Sequence, residues 1–307
     1  MRSAASATET AGNAREYALL VVLAILWGAS YAFIRLGVAT IPPVTLIAAR
    51  TLIGGALLFA VLTARGIAMP RDVASWQRFF FQALLNSVVP FTLIAWAEKT
   101  VEAGLATILC STSPIFAFLM TFAITRHEPV TFTKLFGVIA GIGGICVIVG
   151  VEALSGIGKA LVADLALIAA TLCFAGAAIF GRGFGTLDPM VPASGSMLCG
   201  SMVLVPISLV AEEPWTIAPS AASVMALIAL SVFSTAFAFA LYFRLVRTLG
   251  SVGVTAQAYL RVPVGVAIGV AFLGETIVPT ALVGLAGVIA GIAAMIVPAR
   301  GRADAAN

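Results

Sequence analysis

The chain has 307 residues, of which 61% are hydrophobic and 10% are charged, and its mean hydropathy is +1.12. Soluble domains carry roughly 25% charged residues, so this composition excludes a large soluble domain and indicates an integral membrane protein. The net charge of +4 is not a nucleic-acid signal, because its meaning depends on where the basic residues fall relative to the spans.

Uncharged apolar runs predict an all-α membrane protein with ten transmembrane helices. Eight runs contain no charge, and two, at about 44–63 and 251–272, contain one arginine each (Arg50 and Arg261). The runs are continuous rather than alternating, which excludes an outer-membrane barrel. The predicted uncharged spans are Tyr17–Ile34, Phe79–Ala97, Ala103–Thr125, Leu135–Val151, Leu165–Gly181, Pro189–Ala211, Pro214–Phe243 and Thr276–Ala299.

The distribution of Lys and Arg predicts the orientation in the membrane. The N-terminus and every second loop carry 12 of these residues, and the opposite side carries Arg35, Lys99 and Lys159. By the positive-inside rule both termini are cytoplasmic. We expect residues 1–16 and 299–307 to form cytoplasmic tails, and the first span to be retained rather than cleaved as a signal peptide.

Shifted matches predict an internal repeat. At a shift of 147, Arg35 matches Arg182 and Glu128 matches Glu275; at a shift of 149, Pro114 matches Pro263. Each half has five predicted spans, and an odd number forces the second copy to enter the membrane upside down. Inverted repeats place a substrate site near the bilayer midplane between the halves, so we expect a central cavity.

Several short motifs of the sequence resemble those of a known family. They are Trp27-Gly28-Ala29-Ser30-Tyr31 in the first span, Arg50 in the second, Ser111-Thr112-Ser113-Pro114 in the fourth, Gly274-Glu275 closing the ninth, and the glycine-rich fifth and tenth spans. With the five-plus-five layout, the chain resembles the EamA-type branch of the drug/metabolite transporter superfamily, and within it the bacterial aromatic amino acid exporters. The Gly-Glu that usually closes the fourth span is replaced by Arg126-His127-Glu128-Pro129.

The resemblance implies two EamA-like repeats at 17–151 and 161–298, a bacterial inner membrane location, and export of amino acids. No cofactor or metal is expected. The sequence lacks a GxxxxGK[ST] loop for ATP, and its one histidine, His127, lies in a predicted loop. The four cysteines, Cys110, Cys146, Cys173 and Cys199, lie in apolar stretches without CxxC spacing and are interpreted as small buried hydrophobic residues.

Ionisable groups inside spans are costly and are candidates for function. Arg261 lies halfway along the ninth span, two residues before Pro263, where its guanidinium could hold a substrate carboxylate or stabilise the kink by bonding freed carbonyls. Arg50, nearer a span end, is interpreted as structural or snorkelling. No carboxylate lies mid-span; Glu98 is the best candidate for carrying a proton, although a solvated residue paired with Lys99 is the favoured interpretation. Glu275 is expected to complement the N-terminal end of the following helix.

Prolines and aromatic residues complete the candidate site. Pro90, Pro114, Pro206 and Pro263 lie inside spans and are candidate hinges, Pro114 and Pro263 in equivalent places of the two halves. Aromatic faces with a few hydrogen-bonding groups suit a small amphipathic zwitterion. Besides Arg261, the candidate substrate-binding residues are Trp27, Tyr31, Phe91, Trp96, Ser111, Ser113, Phe237, Tyr242, Gln257 and Tyr259.

The resulting hypothesis is a secondary transporter that exports small metabolites, chiefly aromatic and other neutral amino acids, by alternating access of the central cavity. We expect amino acids and the lipid bilayer as partners, no nucleic acid, and a monomer or homodimer. A sugar-phosphate, nucleotide-sugar or drug exporter is the alternative within transport. An intramembrane enzyme or a lipid-handling protein is the alternative of another class, although the sequence offers no nucleophile–base pair for catalysis.

Overall fold

The computed structural model describes residues 2–125, 135–144, 147, 158–242, 244–245, 248, 257–276 and 279–296. All regular secondary structure in these residues is helical, which confirms the predicted all-α class. The helices are α1 Arg2–Gly37, α2 Pro43–Ala64, α3 Val73–Ala97, α4 Ala103–Cys110, α5 Ser113–Thr125, α6 Leu135–Gly144, α7 Gly158–Gly181, α8 Met190–Ala211, α9 Ala221–Tyr242, α10 Gln257–Leu273 and α11 Pro279–Ile296.

Seven segments of the described chain are long and apolar enough to cross a membrane. They correspond to the predicted spans one to four and six to eight. The predicted fifth and ninth spans are represented by the shorter apolar helices Leu135–Gly144 and Leu260–Leu273, and the tenth by α11. The protein is therefore a multi-pass helical membrane protein, and within the described residues seven of the ten predicted spans are represented by helices of full length.

Several helix starts differ from those predicted from the ends of the apolar runs. α1 begins at Arg2 rather than Tyr17, α3 at Val73 rather than Phe79, and α9 at Ala221 rather than Pro214. Side-chain caps explain the last two, since a capping oxygen stabilises the first turn of a helix. The cap at Asp72 lets α3 start earlier, in a polar segment, whereas the cap at Ser220 marks a start of α9 inside the predicted apolar run.

The two caps are matched in the halves of the chain. Asp72 Oδ1 accepts a hydrogen bond from the Ser75 amide at 2.8 Å, and Ser220 Oγ accepts one from the Ser223 amide at 3.2 Å, 148 residues later. Asp72 lies just outside the span, and the hydrogen bond from the Ser75 amide lowers the pKa of its carboxyl group. Equivalent sequence positions therefore start equivalent helices with different capping side chains.

Other local features repeat at nearly the same offset. α2 and α8 both have 22 residues and begin 147 residues apart. α3 and α9 are both interrupted by a π-helical turn, at Leu84–Val88 and Val232–Phe237. Only the first turn is followed by a proline, Pro90, so the π-helical geometry is a property of the repeat rather than of the proline.

The packing of the helices follows the same repeat. α2 packs against α8, and α4 against α10, each contact joining the two halves. α1 packs against α9 and α10, and its counterpart α7 packs against α3 and against the pair α4–α5. Exchanging the halves therefore maps this set of contacts onto itself.

The fourth and ninth spans are an exception to this correspondence. The fourth is broken into α4 and α5 by a turn at Ser111 and Thr112, whereas α10 runs unbroken through Pro263. Pro114 is the second residue of α5, where no backbone hydrogen bond is needed. The predicted equivalence of the two prolines as hinges is thus wrong: one starts a helix, and the other lies inside one.

Glycines allow α6 to approach α11 closely. A Cβ on Gly144 would lie 2.5 Å from the carbonyl oxygen of Gly284 and 2.9 Å from the amide nitrogen of Val288. Close approach at small residues is a common way for membrane helices to associate. The glycines of the fifth and tenth predicted spans therefore serve helix packing at this crossing.

Replacing Gly144 tests this crossing. Gly144→Ala should lower the melting temperature in detergent by several degrees, because the added methyl group forces the two backbones apart. Gly143→Ala is the matched control, since a Cβ there meets nothing within 4 Å. Equal melting temperatures for the two variants would contradict the close packing of α6 on α11.

Candidate functional site

Polar and aromatic side chains from both halves of the chain meet where α1, α2, α3, α4, α9 and α10 come together. We call them the central cluster, and six of its seven members are less than 10% exposed. The central cluster consists of Tyr31, Arg50, Phe91, Cys110, Ser111, Thr235 and Arg261. Four of these, Tyr31, Phe91, Ser111 and Arg261, are among the residues that the sequence analysis selected.

Arg50 of α2 is the most deeply buried cation of the described chain, with 4% of its surface exposed. Its Nε donates a hydrogen bond to Thr235 Oγ1 at 3.0 Å, and its Cζ lies 3.9 Å from the centroid of the Phe91 ring. A hydrogen bond and a cation–π contact partly offset the cost of removing the charge from water. The snorkelling role expected for Arg50 is wrong, because its guanidinium points into the protein.

The π-helical turn of α9 prepares Thr235 for this contact. The Thr235 hydroxyl donates to the Leu230 carbonyl oxygen at 2.9 Å, which leaves its lone pairs to accept from Arg50. Gly54 of α2 lets α9 come close, since a Cβ on Gly54 would lie 2.7 Å from Thr235 Cγ2. Residues from both halves thus hold one arginine in place.

Arg261 of α10 reaches the break between α4 and α5. Its Nη2 donates to Ser111 Oγ at 3.4 Å, and the Ser111 hydroxyl donates to the Thr107 carbonyl oxygen at 2.7 Å. The Nε atom of Arg261 is buried and has no hydrogen-bond partner among the described residues. The side-chain contact of Arg261 is therefore with the opposite half of the chain, and one of its donors is available to a ligand.

Tyr31 of α1 links the parts of the central cluster. Its hydroxyl and the Cys110 thiol interact by a hydrogen bond, and it interacts electrostatically with Arg261 and Glu98. Tyr31 is 5% exposed. A phenol between two arginines and an acid offers a substrate both an aromatic face and a hydroxyl group.

Glu98, directly after α3, differs from the solvated residue that the sequence analysis favoured. Its side chain is completely buried, and neither carboxylate oxygen has a hydrogen-bond partner in the described part of the chain. Its backbone carbonyl accepts from Arg35. The neighbouring Lys99 is exposed, so the expected pairing with Lys99 is wrong.

Two further glutamates bind the N-termini of helices in the other half. Glu275 accepts hydrogen bonds from the amides of Ala103 and Gly104 at 2.7 and 2.9 Å, at the start of α4. Glu212 accepts from the amides of Val44 and Thr45 at 3.1 and 2.6 Å, in the first turn of α2. Carboxylates are favoured there by the unpaired amides and the helix dipole.

These contacts correct the expected role of Glu275. It binds the fourth span of the other half, not the helix that follows it in sequence, because Gly274 ends α10 with a φ of +67° and turns the chain back. Glu128, its counterpart in the repeat, lies outside the described residues. We call the end of the bundle that holds Glu98, Glu102, Glu212 and Glu275 the acidic end.

The acidic end also carries a cavity of about 330 Å³. Arg35, Glu102 and Glu275 provide its charged lining. A second cavity, of about 570 Å³, is lined by α2, α3 and the loop that joins them, together with Leu198 of α8.

The remaining predicted site residues lie away from the central cluster or contribute little polarity to it. Trp27 packs on Tyr242 of α9 at a ring distance of 5.4 Å, in a separate apolar cluster. Trp96 and Phe237 are 45% and 51% exposed. Ser113 donates to the Cys110 carbonyl oxygen.

The structure describes Gln257, Tyr259 and Pro114 by their backbone alone: the first two lie in the first turn of α10 and the third in α5. Of the other candidate hinges, Pro206 and Pro263 lie inside α8 and α10. Pro90 follows the π-helical turn of α3.

Arg50, Glu98, Cys110 and Thr235 are not among the site residues predicted from the sequence. For Arg50 a signal was present, since an arginine within an apolar run is itself a candidate for function. Glu98 was judged by its position next to Lys99 at a span end, and position along a helix does not show which face is buried. The position of the Thr235 side chain depends on a π-helical turn, which the apolar periodicity of the sequence does not predict.

The contact of Glu275 with α4 provides a test. Glu275→Gln should lower the melting temperature in detergent by a few degrees, because a neutral amide stabilises a helix N-terminus less than a carboxylate does. Gly269→Ala should have the same effect, since a Cβ at Gly269 would overlap the Glu275 carboxylate. The exposed Glu213 provides the control Glu213→Gln; a wild-type melting temperature for Gly269→Ala would contradict the contact.

The chain is similar to known membrane transporters. The uncharacterized inner membrane transporter YedA of Escherichia coli (strain K12) is 28% identical over 263 residues, which cover 85% of this chain and 84% of that protein. A probable terminal-alkyne amino-acid exporter of Streptantibioticus cattleyicolor is 26% identical over 89% of this chain and 90% of that protein. A crystal structure with 18% identity matches with a TM-score of 0.63 over 92% of this chain and 97% of that chain, a likeness of fold.

The model of the EamA-like transporter family matches the chain twice, at residues 14–150 and 161–297. The two matches begin 147 residues apart, the offset at which α2 and α8 repeat. The chain belongs to the EamA-like transporter family.

Proposed function

We propose that this transporter exports small neutral and aromatic amino acids by alternating access between two inverted repeats. The observation that carries the proposal is Arg261, whose buried Nε has no partner among the described residues while its Nη2 reaches Ser111 of the other half. A carboxylate is the ligand that fits such a donor, because the bond is charge-assisted and a guanidinium can bind both oxygens.

The surroundings of Arg261 suit the rest of an amino acid. Tyr31 and Phe91 present aromatic surfaces, and Arg50 lies over the face of Phe91. An apolar or aromatic substrate side chain would pack on these rings, while the charged end of the molecule would be held by the arginines. The similarity to an amino-acid exporter supports the same substrate class.

Export direction is proposed from the similarity to an amino-acid exporter, and the proposed orientation assigns the two ends of the bundle to the two sides of the membrane. The loops at the end opposite the acidic end, together with the termini, hold 12 Lys and Arg residues, against three at the acidic end. By the positive-inside rule the acidic end faces the outside and both termini face the cytoplasm. Substrate would enter from the basic side and leave at the acidic end, through a bacterial inner membrane.

The contacts at the acidic end support a conformation closed to the outside. Glu275 joins α10 to α4, and Glu212 joins α8 to α2, so both contacts must break when the halves separate there. The repeat position equivalent to Glu212 is Arg65, whose Nη1 contacts the Met190 sulfur at 3.1 Å. A cation there cannot bind a helix N-terminus as Glu212 does, so the two ends are held together by different chemistry.

The motion between the two states would use two helices with an internal proline and the broken fourth span. Pro206 and Pro263 lie inside α8 and α10, and the fourth span is broken at Ser111 and Thr112. Proline removes a backbone hydrogen bond and weakens a helix locally. Bending at these positions would move the acidic end without unpacking α6 from α11.

The substrate assignment is tested by counterflow of labelled phenylalanine, threonine and methionine in vesicles containing the purified protein. Arg261→Ala should weaken the apparent affinity for these amino acids by about 10-fold to 100-fold, the effect of losing a charged hydrogen bond of about 1.5–3 kcal/mol. Arg261→Lys should weaken it less, because an ammonium group retains the charge but loses the paired geometry. The exposed Arg182 provides the control Arg182→Ala.

A competition experiment separates loss of carboxylate binding from loss of fold. Phenethylamine, which lacks the carboxylate, should compete with phenylalanine poorly in the wild type and almost as well as phenylalanine itself in Arg261→Ala. Full counterflow in Arg261→Ala would contradict the carboxylate site. Counterflow of sugar phosphates but of no amino acid would contradict the substrate class.

A further inference from the structure

Glu98 is an ionisable residue that has no role in the proposed binding of the substrate carboxylate. It is completely buried, and both oxygens lack hydrogen-bond partners in the described part of the chain. A buried carboxylate in its ionised form is costly unless it is paired and hydrogen-bonded. In this closed state the neutral, protonated form of Glu98 is therefore the favoured one.

The groups around Glu98 have opposing effects on its charge. Arg35 of α1 and Arg50 of α2 favour the ionised form, and Glu275, which follows α10, disfavours it. Tyr31 and Cys110 also interact with Glu98 electrostatically. Arg35 donates to the backbone carbonyl of Glu98 rather than to its carboxylate, so the nearest cation does not occupy the side-chain oxygens.

The spacing along α3 places Glu98 above the central cluster. Phe91 and Glu98 are seven residues apart, which corresponds to about two turns of helix, and they lie on one face at a separation of about 10 Å. Arg50 lies over Phe91. An α-amino acid whose carboxylate binds an arginine of the central cluster would direct its ammonium group along this face towards Glu98.

We propose that Glu98 binds, in alternation, a transported proton and the ammonium group of the amino acid. This rests on the proposed function and names the coupling ion and the second polar contact of the substrate. A proton and an ammonium group each need one negatively charged site. The buried Glu98 carboxylate, which no other described residue binds, can provide that site for either of them.

One transport cycle moves one proton in and one amino acid out. With the cavity open to the outside, the ionised Glu98 accepts one proton and becomes a neutral carboxylic acid that can be buried in the closed state. With the cavity open to the cytoplasm, the carboxylic acid releases that proton, and the resulting carboxylate pairs with the substrate ammonium. One proton enters for each amino acid that leaves, and the two ligands exclude each other.

Two measurements on the full-length protein test the proposal. Vesicles that are acidic inside should accumulate labelled phenylalanine several-fold above vesicles without a pH gradient. In detergent at low buffer strength, saturating phenylalanine should release protons from the wild-type protein, detected with a pH-sensitive dye. Glu98→Gln should lose both the gradient-driven accumulation and the proton release, and its apparent affinity for phenylalanine should no longer change with pH.

Further variants and controls separate a loss of proton coupling from a loss of folding. Glu98→Gln should melt like the wild type, because glutamine resembles the neutral acid. It should still show counterflow without a gradient, but only at higher phenylalanine concentrations, because the charged contact with the ammonium group is lost. Glu98→Asp should keep proton release, and Glu213→Gln should behave as the wild type. Gradient-driven accumulation by Glu98→Gln would overturn the proposal. Wild-type counterflow without accumulation or proton release would overturn it and leave amino acid transport standing, whereas absence of wild-type counterflow would overturn both.

Discussion

A charge inside a membrane protein must find its partner within the protein, and this constraint organises the centre of the molecule. Arg50 is held by Thr235 and Phe91, and Arg261 reaches Ser111. The contacts to Thr235 and Ser111 join a residue of one half to a residue of the other. Because burial is costly without partners, each arginine stabilises the arrangement of the two halves, and Arg261 also keeps one donor without a partner among the described residues.

The same constraint explains the acidic end. Glu212 and Glu275 are matched with the unpaired amides of helix N-termini that belong to the opposite half. Glycines make the approach possible: Gly104 and Gly269 leave room for the Glu275 carboxylate. Contacts of this kind are strong while the ends are closed and are replaced by water when they open. They are therefore suited to a state that forms and breaks during transport.

Much of this organisation was predictable from the sequence, because apolar length and charge distribution are properties of the chain itself. The helical class and the repeat follow from continuous apolar runs and from matches such as Glu128 with Glu275. Helix starts were less predictable, since the caps at Asp72 and Ser220 set two of them away from the ends of the apolar runs.

The site was predictable only in part. Arg261, Tyr31, Phe91 and Ser111 were found because polar and aromatic residues within spans are few. The burial of Glu98, the inward direction of Arg50 and the helix bound by Glu275 depend on packing between distant segments, which spacing along one chain does not determine. Trp96 shows the converse: it has the right residue type and depth, but nearly half of its surface is exposed.

The central claim is that an amino acid binds between the two halves at the buried arginines. The most direct measurement is photo-crosslinking of the purified protein with a diazirine analogue of methionine, followed by peptide mapping by mass spectrometry. The account predicts labels on α2, α3 or α10 close to Arg50, Phe91 and Arg261, which excess phenylalanine or methionine removes. Labels that such competition does not reduce, or that fall on exposed faces such as that of Phe272, would contradict it.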